Sequence, residues 1–168
     1  EVDIDPPKAH EMRVKIAAAG VCRSDLHFMK GEAIIATPAV LGHEGSAVVQ
    51  EIGEGVTSVA PGDHVILCFA PYCGHCASCL TGHSNRCDTH QQATGKMFDG
   101  TNRIHVGGHD LTQMAKLACF AEEAIVPETG VAKIDPSIPM GVAALIGCSV
   151  TTGVGTAIYS AEVTPGST

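Results

Sequence analysis

Apolar and polar positions alternate early in the chain with the period of a half-buried strand. In Met12-Arg13-Val14-Lys15-Ile16 every second side chain is apolar, so one face can enter a core while the charged face stays in water. Gly45-Ser46-Ala47-Val48-Val49-Gln50-Glu51-Ile52 and His64-Val65-Ile66-Leu67 read as further strands, punctuated by Gly53-Glu54-Gly55 and Pro61-Gly62-Asp63. Later strands are predicted over 118–126 and 131–134, both rich in Ala, Val and Ile. Helical pattern is scarcer. A short helix capped by Ser24 is predicted through Met29 with Gly31 as its stop. Two more are predicted: one from Pro139 to near Gly147, and one over 151–160 started by Thr caps despite Gly153 and Gly155. Residues 89–110 show no assignable pattern. Many short strands with turn signals and few helices predict a mainly β fold, a small and partly open barrel.

Composition narrows this picture. The 168 residues suit one domain with a sizeable core, and 45% hydrophobic with 17% charged residues describes a globular protein. Aromatics are only 4%, against 19 Gly and 9 Pro, which suits turn-rich β structure filled by small aliphatic side chains. A formal net charge of −8 argues against non-specific binding to nucleic acid or to an anionic membrane. No apolar run approaches the roughly 20 residues that span a bilayer, so no membrane partner is expected. The start, Glu1-Val2-Asp3-Ile4, is neither a signal peptide nor an initiator Met, and trimming is expected there. Eight cysteines then fit metal thiolates in a reducing cytoplasm better than disulfides.

Cys73, Cys76, Cys79 and Cys87 stand at C-x2-C-x2-C-x7-C spacing. Zinc takes four tetrahedral ligands at about 2.3 Å from sulfur, and such spacing lets one loop supply them all. With four protein ligands no position stays open, so the loop over about 71–88 is expected to be a structural site. The alternative is a disulfide pair or free core thiols. A second set, Cys22, His43, Glu44 and Cys148, is scattered in sequence, as residues gathered by a fold around a catalytic metal would be. Two Cys and one His give zinc three protein ligands and leave a fourth position for water or substrate. A lone Cys is usually a small core hydrophobe, and Cys68 and Cys119 are read that way. His75, His105 and His109 are read as loop residues. Gly153-Val154-Gly155 fails the G-x-G-x-x-G pattern and follows no strand.

Four segments occur in order: Gly20-Val21-Cys22-Arg23-Ser24-Asp25-Leu26-His27, Gly42-His43-Glu44-Gly45, the cysteine loop, and Gly147-Cys148-Ser149-Val150-Thr151-Thr152. Together they resemble the zinc-containing medium-chain alcohol dehydrogenases over nearly the whole chain. The resemblance implies that residues 1–168 form the GroES-like catalytic domain, and that the Rossmann cofactor domain is absent from this chain, which is expected to be a fragment. It implies two Zn2+ per chain: a catalytic one on Cys22, His43 and Cys148, and a structural one on the four-cysteine loop. Glu44 would sit beside the catalytic metal, and Asp25 would accept the His43 N–H and fix its tautomer. An N-terminal Asp favoured by the helix dipole is a compatible reading of Asp25.

The resemblance further implies an oxidoreductase that converts a primary alcohol to an aldehyde, reversibly, with hydride passing to NAD. Zinc can lower the pKa of a bound water from about 15.7 to about 7, and an alcohol responds likewise. The family's proton path, a hydroxyl, the cofactor ribose and a histidine, falls on Ser24 and His27. Arg23 and Thr152 match cofactor contacts, and Phe69 matches a wall of the substrate pocket. Without the resemblance these read as a helix cap, a surface histidine, a solvated charge, a cap hydroxyl and a core aromatic. The fragment alone is expected to turn over little. A small-molecule alcohol or aldehyde is the expected partner, with a homodimer or homotetramer at full length. The alternative is a non-catalytic zinc-binding module of the same fold, serving assembly or partner binding.

Overall fold

A computed structural model describes residues 2–91 and 95–167. Its largest sheet has five antiparallel strands: β1 (Glu11–Ala19), β2 (Gly45–Ile52), β3 (His64–Leu67), β4 (Glu123–Pro127) and β5 (Val131–Lys133). They lie in the order β5-β3-β2-β1-β4, so β4 and β5 remain as edges and the sheet is open. Mainly β architecture with short helices is therefore what the chain forms. β1 is an interior strand, paired with β2 on one side and β4 on the other, and its alternation sorts its side chains cleanly. Met12 and Val14 are fully buried while Arg13 turns outward toward Glu51 and Glu123, at 3.5 and 3.8 Å. Facing rungs repeat the logic, with Val14 opposite Val49 and Ala124. Each such aliphatic side chain contributes roughly 1.5–3 kcal/mol on burial, and Met12, Val14, Ala47, Val49, Val65, Leu67, Leu117 and Val126 form the main core. The 118–126 strand begins later than predicted: Ala118 has φ of 55°, which an extended segment cannot accommodate.

Two smaller sheets flank this one. A three-stranded sheet joins Asp3–Ile4, Ile104–Val106 and His109–Asp110, and Ala39–Val40 pairs in parallel with Thr112–Gln113. The first of these is anchored by Arg103, which is fully buried. Arg103 donates through Nε to Glu11 Oε2 at 2.8 Å and through Nη2 to Glu11 Oε1 at 2.6 Å. The bidentate geometry compensates the desolvation of both charges.

Helix α1 (Arg23–Met29) starts one position before the predicted cap: Cys22 is the N-cap and Ser24 lies within the first turn. Two one-turn helices, Ala77–Leu80 and Asp88–Gln91, frame the cysteine loop. The predicted pair of C-terminal helices is instead one, α2, spanning Met140–Ser160. Within it α-helical turns at Met140–Ala143 and Thr151–Gly155 alternate with π-helical ones at Ile146–Val150 and Thr156–Ser160. By length and composition α2 could span a bilayer, contrary to the expectation that no run is long enough. Gly, Thr and Ser dilute its apolar pattern in sequence without making it polar. Ser46 Oγ donates to the Met140 carbonyl at 2.7 Å and docks its first turn on β2.

Candidate functional site

One rung of the large sheet gathers the scattered ligands. Ala19, the last residue of β1, faces Gly45, the first of β2, and Gly45 faces Leu67, the last of β3. The chain leaves β1 through Gly20-Val21-Cys22, enters β2 from His43-Glu44, and passes Leu67 again as Gly147-Cys148 of α2. Residue 147 must be glycine, because a Cβ there would lie 2.8 Å from the Leu67 carbonyl carbon and nearer still to its oxygen. Gly20 is similarly constrained: a Cβ would lie 2.9 Å from the Glu44 carboxyl carbon.

The outcome is a cluster in which the donor atoms of Cys22, His43, Glu44 and Cys148 all lie within 4.8 Å of one another. His43 and Glu44 are buried. Asp25, with no exposed surface, accepts the backbone N–H of Cys22 and of Gly42, each at 3.0 Å. One carboxylate therefore ties the two ligand-bearing loops together. His43 Nδ1 stands 3.4 Å from Asp25 Oδ1, in ion-pair reach but without an aligned hydrogen bond. Glu44 Oε2 accepts from Ser149 Oγ at 2.6 Å. Ser149 was not singled out from the sequence, although it adjoins Cys148. Burial, followed by the charges of Cys22 and Glu44, pushes the Cys148 thiol up to about 11, while the Thr152 hydroxyl acts in the opposite direction. A divalent cation would relieve this crowding of anionic donors, so the residues fit a metal of zinc's preferences.

A cavity of about 320 Å³ opens beside the cluster, lined by Ser24, Phe28, His43, Phe69, His90 and Met114, with Lys116 and Cys148 among the remaining wall residues. Phe69 meets the His43 ring edge-on at 6.5 Å between centroids. Ser24 also lines a second cavity with His27 and Glu32, and His27 Nδ1 lies 2.5 Å from Glu32 Oε2. Arg23 and Thr152 are exposed. His90, Met114, Lys116 and Glu32 were not anticipated. Burial pushes the Lys116 ammonium down to about 8, while the charge of Cys87 acts in the opposite direction.

The second cluster is local. The sulfurs of Cys73, Cys76, Cys79 and Cys87 lie within 4.8 Å of one another. Cys76 and Cys79 are 3.4 Å apart and Cys76 and Cys87 3.9 Å apart, bracketing the roughly 3.8 Å edge of a tetrahedron with 2.3 Å bonds. Every cysteine is a free thiol, so the disulfide alternative is not what forms. Gly74, at φ of 80°, supplies the turn, and Cys76 is the N-cap of the helix that carries Cys79. Although burial raises the Cys73 thiol, hydrogen bonds from Thr89 and from the backbone of His75 and Cys76 bring it down to about 6. Cys79 is pushed up to about 11 by burial and then by Cys76. Four crowded thiols with opposed tendencies form a set that a cation would unify. Cys119 is buried among core residues, as its strand-like surroundings suggested.

An open five-stranded sheet with one thiolate cage and one mixed Cys/His/Glu cluster defines a class, the zinc-type GroES-like catalytic fold of medium-chain dehydrogenases. Residues 8–136 match the model of the alcohol dehydrogenase GroES-like domain, and the chain belongs to that family. An alcohol dehydrogenase zinc-binding domain protein from Burkholderia ambifaria shares 34% identity with a TM-score of 0.90, over 99% of this chain and 46% of its own. Benzyl alcohol dehydrogenase from Acinetobacter calcoaceticus shares 32% identity with a TM-score of 0.88, over 99% of this chain and 45% of its own. A thermostable alcohol dehydrogenase from Pyrobaculum aerophilum, solved with cobalt and zinc bound, shares 29% identity with a TM-score of 0.72, over 97% and 44%. The chain thus spans under half the length of these structures.

Proposed function

We propose that this chain supplies the metal-binding and proton-transfer half of a zinc-dependent alcohol dehydrogenase, which oxidises a primary alcohol to an aldehyde reversibly and passes hydride to NAD. The observation that carries this reading is the convergence of Cys22, His43, Glu44 and Cys148 at the wall of a cavity also lined by Ser24 and Phe69. Cys22, His43 and Cys148 would hold one zinc, and Cys73, Cys76, Cys79 and Cys87 the other. Zinc at the first site would supply Lewis acidity toward an alcohol or carbonyl oxygen. Asp25 holds the Cys22 and Gly42 backbones and faces His43, which preorganises the donors. Glu44, anchored by Ser149, is an additional donor within reach.

Ser24 lines both cavities and is suited to take the proton that the substrate hydroxyl loses. His27, one helical turn on, opens toward solvent and passes that proton outward, oriented by Glu32. Arg23 and Thr152 are assigned to the cofactor and Phe69 to the substrate. A cytoplasmic dimer or tetramer of the longer protein is part of the same reading, as is an alcohol or aldehyde partner and no nucleic acid or membrane.

The test uses a chain extended to the length of the relatives, loaded with zinc and assayed for reduced nicotinamide formed from primary alcohols. Turnover that Cys22→Ser abolishes without unfolding the protein is the expected result. Absence of turnover with every primary alcohol in the zinc-loaded protein would refute it.

A further inference from the structure

Cys148 and the residue after it both reach the Cys22–His43–Glu44–Cys148 cluster, Cys148 as a member and Ser149 through Glu44. Consecutive side chains on an α-helix diverge by about 100°, so an ordinary helix would aim only one of them there. Both lie in the π-helical turn Ile146–Val150, closed by the Val150 N–H donating to the Leu145 carbonyl at 3.0 Å. A π turn holds more residues than an α turn, which narrows the angle between neighbours, and such turns recur at functional sites. Ser149 is exposed as a residue, where water satisfies a hydroxyl without help. Its Oγ nevertheless donates to Glu44 Oε2 at 2.6 Å.

Glu44 is the opposite case. It is only 1% exposed, and among the described residues its carboxylate has no second hydrogen bond and no ion pair. A buried carboxylate is costly unless a donor or a cation meets it. Ser149 supplies the donor, and in that same conformation a Glu44 oxygen stands within 4.8 Å of the Cys22, His43 and Cys148 donor atoms. The rest of the residue is held as well. The Gly20 N–H donates to the Glu44 carbonyl at 2.9 Å, and Gly20 leaves no room beside the side chain, since a Cβ there would lie 2.9 Å from both Glu44 Cγ and Cδ. A glutamate is rich in rotamers, and fixing one on a metal costs entropy that a preformed hydrogen bond removes in advance.

We infer that Ser149 is a positioning residue of the metal site: its hydroxyl holds the Glu44 carboxylate at the cluster as a fourth protein donor, which an incoming ligand must displace. The inference rests on the metal-site part of the proposed function. Its test is cobalt titration of the 168-residue chain followed by absorption spectroscopy, with imidazole then added as a competing ligand. Ser149→Ala should weaken cobalt binding at the mixed-ligand site at least about ten-fold, the scale for losing a hydrogen bond that orients a ligand. It should also let imidazole bind more tightly, because Glu44 no longer holds the fourth position, and it should leave the all-thiolate cage unchanged. Ser149→Thr should restore both values. In a Glu44→Ala background, Ser149→Ala should change neither. Unchanged cobalt and imidazole binding in Ser149→Ala would overturn the inference and leave the metal site intact. Weaker cobalt binding without the gain in imidazole affinity would also overturn it, as would an effect of full size in Glu44→Ala; either would place the role of Ser149 in the helix that carries Cys148. A wild-type chain with no mixed-ligand cobalt spectrum would refute the site itself, and the inference would fall with it.

Discussion

Replacing Gly147 with alanine puts a methyl carbon where the β3 backbone already lies. The added Cβ would stand 2.8 Å from the Leu67 carbonyl carbon and nearer to its oxygen, whereas ordinary contacts begin at 3.4 Å. Either α2 or the end of β3 must retreat by at least about 0.6 Å, the shortfall at the carbon atom. Metal–ligand distances tolerate only about 0.2 Å, and Cys148 is the next residue. Overpacking of this kind costs about 1–3 kcal/mol, against the roughly 0.5–1 kcal/mol that alanine gains over glycine within a helix. Gly153→Ala is the internal control. It lies in the same helix with nothing within 4 Å of its Cβ, so it should stabilise by about 0.5–1 kcal/mol. Urea denaturation measures both changes, and cobalt titration followed by absorption spectroscopy reads the mixed-ligand site separately from the all-thiolate one. Gly147→Ala should weaken cobalt binding at the Cys22–His43–Cys148 site at least about ten-fold, the scale for disturbing a ligand's support, and spare the cage. Wild-type cobalt affinity and stability in Gly147→Ala would refute the close-approach argument.

Asp25→Asn should cost the same site about 10–100-fold in metal affinity, because an amide cannot accept from both the Cys22 and Gly42 N–H groups through two carboxylate oxygens; unchanged cobalt binding would contradict this. Glu11→Gln should destabilise the chain by about 3 kcal/mol in urea, since it strips the buried Arg103 of its bidentate partner while Asp99, at 2.8 Å, remains; a loss under about 1 kcal/mol would show that Asp99 suffices. His105 lies 3.1 Å from Asp5 and 2.9 Å from Asp110, and the Asp5 hydrogen bond chiefly raises its pKa above 6.5. Its folded value exceeds its unfolded one, so its contribution is fully present below about pH 6.5 and is lost as pH rises through the folded value. His105→Gln should therefore lose more stability at pH 5.5 than at pH 8.5, and a pH-independent loss would contradict the pairing.

The strands were readable where alternation and register coincide, as in Met12-Arg13-Val14-Lys15-Ile16, because a one-residue slip would invert the burial of Val14. The cysteine cage was readable because its ligands lie within one short loop. The second cluster was not readable from spacing at all. Its ligands meet through the rung Ala19–Gly45–Leu67, a product of strand pairing; their residue types made them candidates, and the family resemblance assigned them to one site. The break predicted at Gly147 shows the limit of local reasoning: this glycine permits close approach to β3 and does not end the helix. Lys116 was invisible for a related reason. A lysine in sequence reads as a solvated charge, and only the left-handed backbone around it turns it inward. The Ser149–Glu44 bond joins residues 105 positions apart, beyond the reach of any local pattern.

The central claim, that this chain builds one closed and one open zinc site, is tested most directly by counting metals. Native mass spectrometry of the zinc-loaded chain, with and without a mild chelator, should show two zincs, one released more readily than the other. Cys22→Ser should lose the labile zinc and Cys76→Ser the resistant one. A single resistant zinc that Cys22→Ser leaves in place would contradict the account and favour a non-catalytic module braced only by its cage.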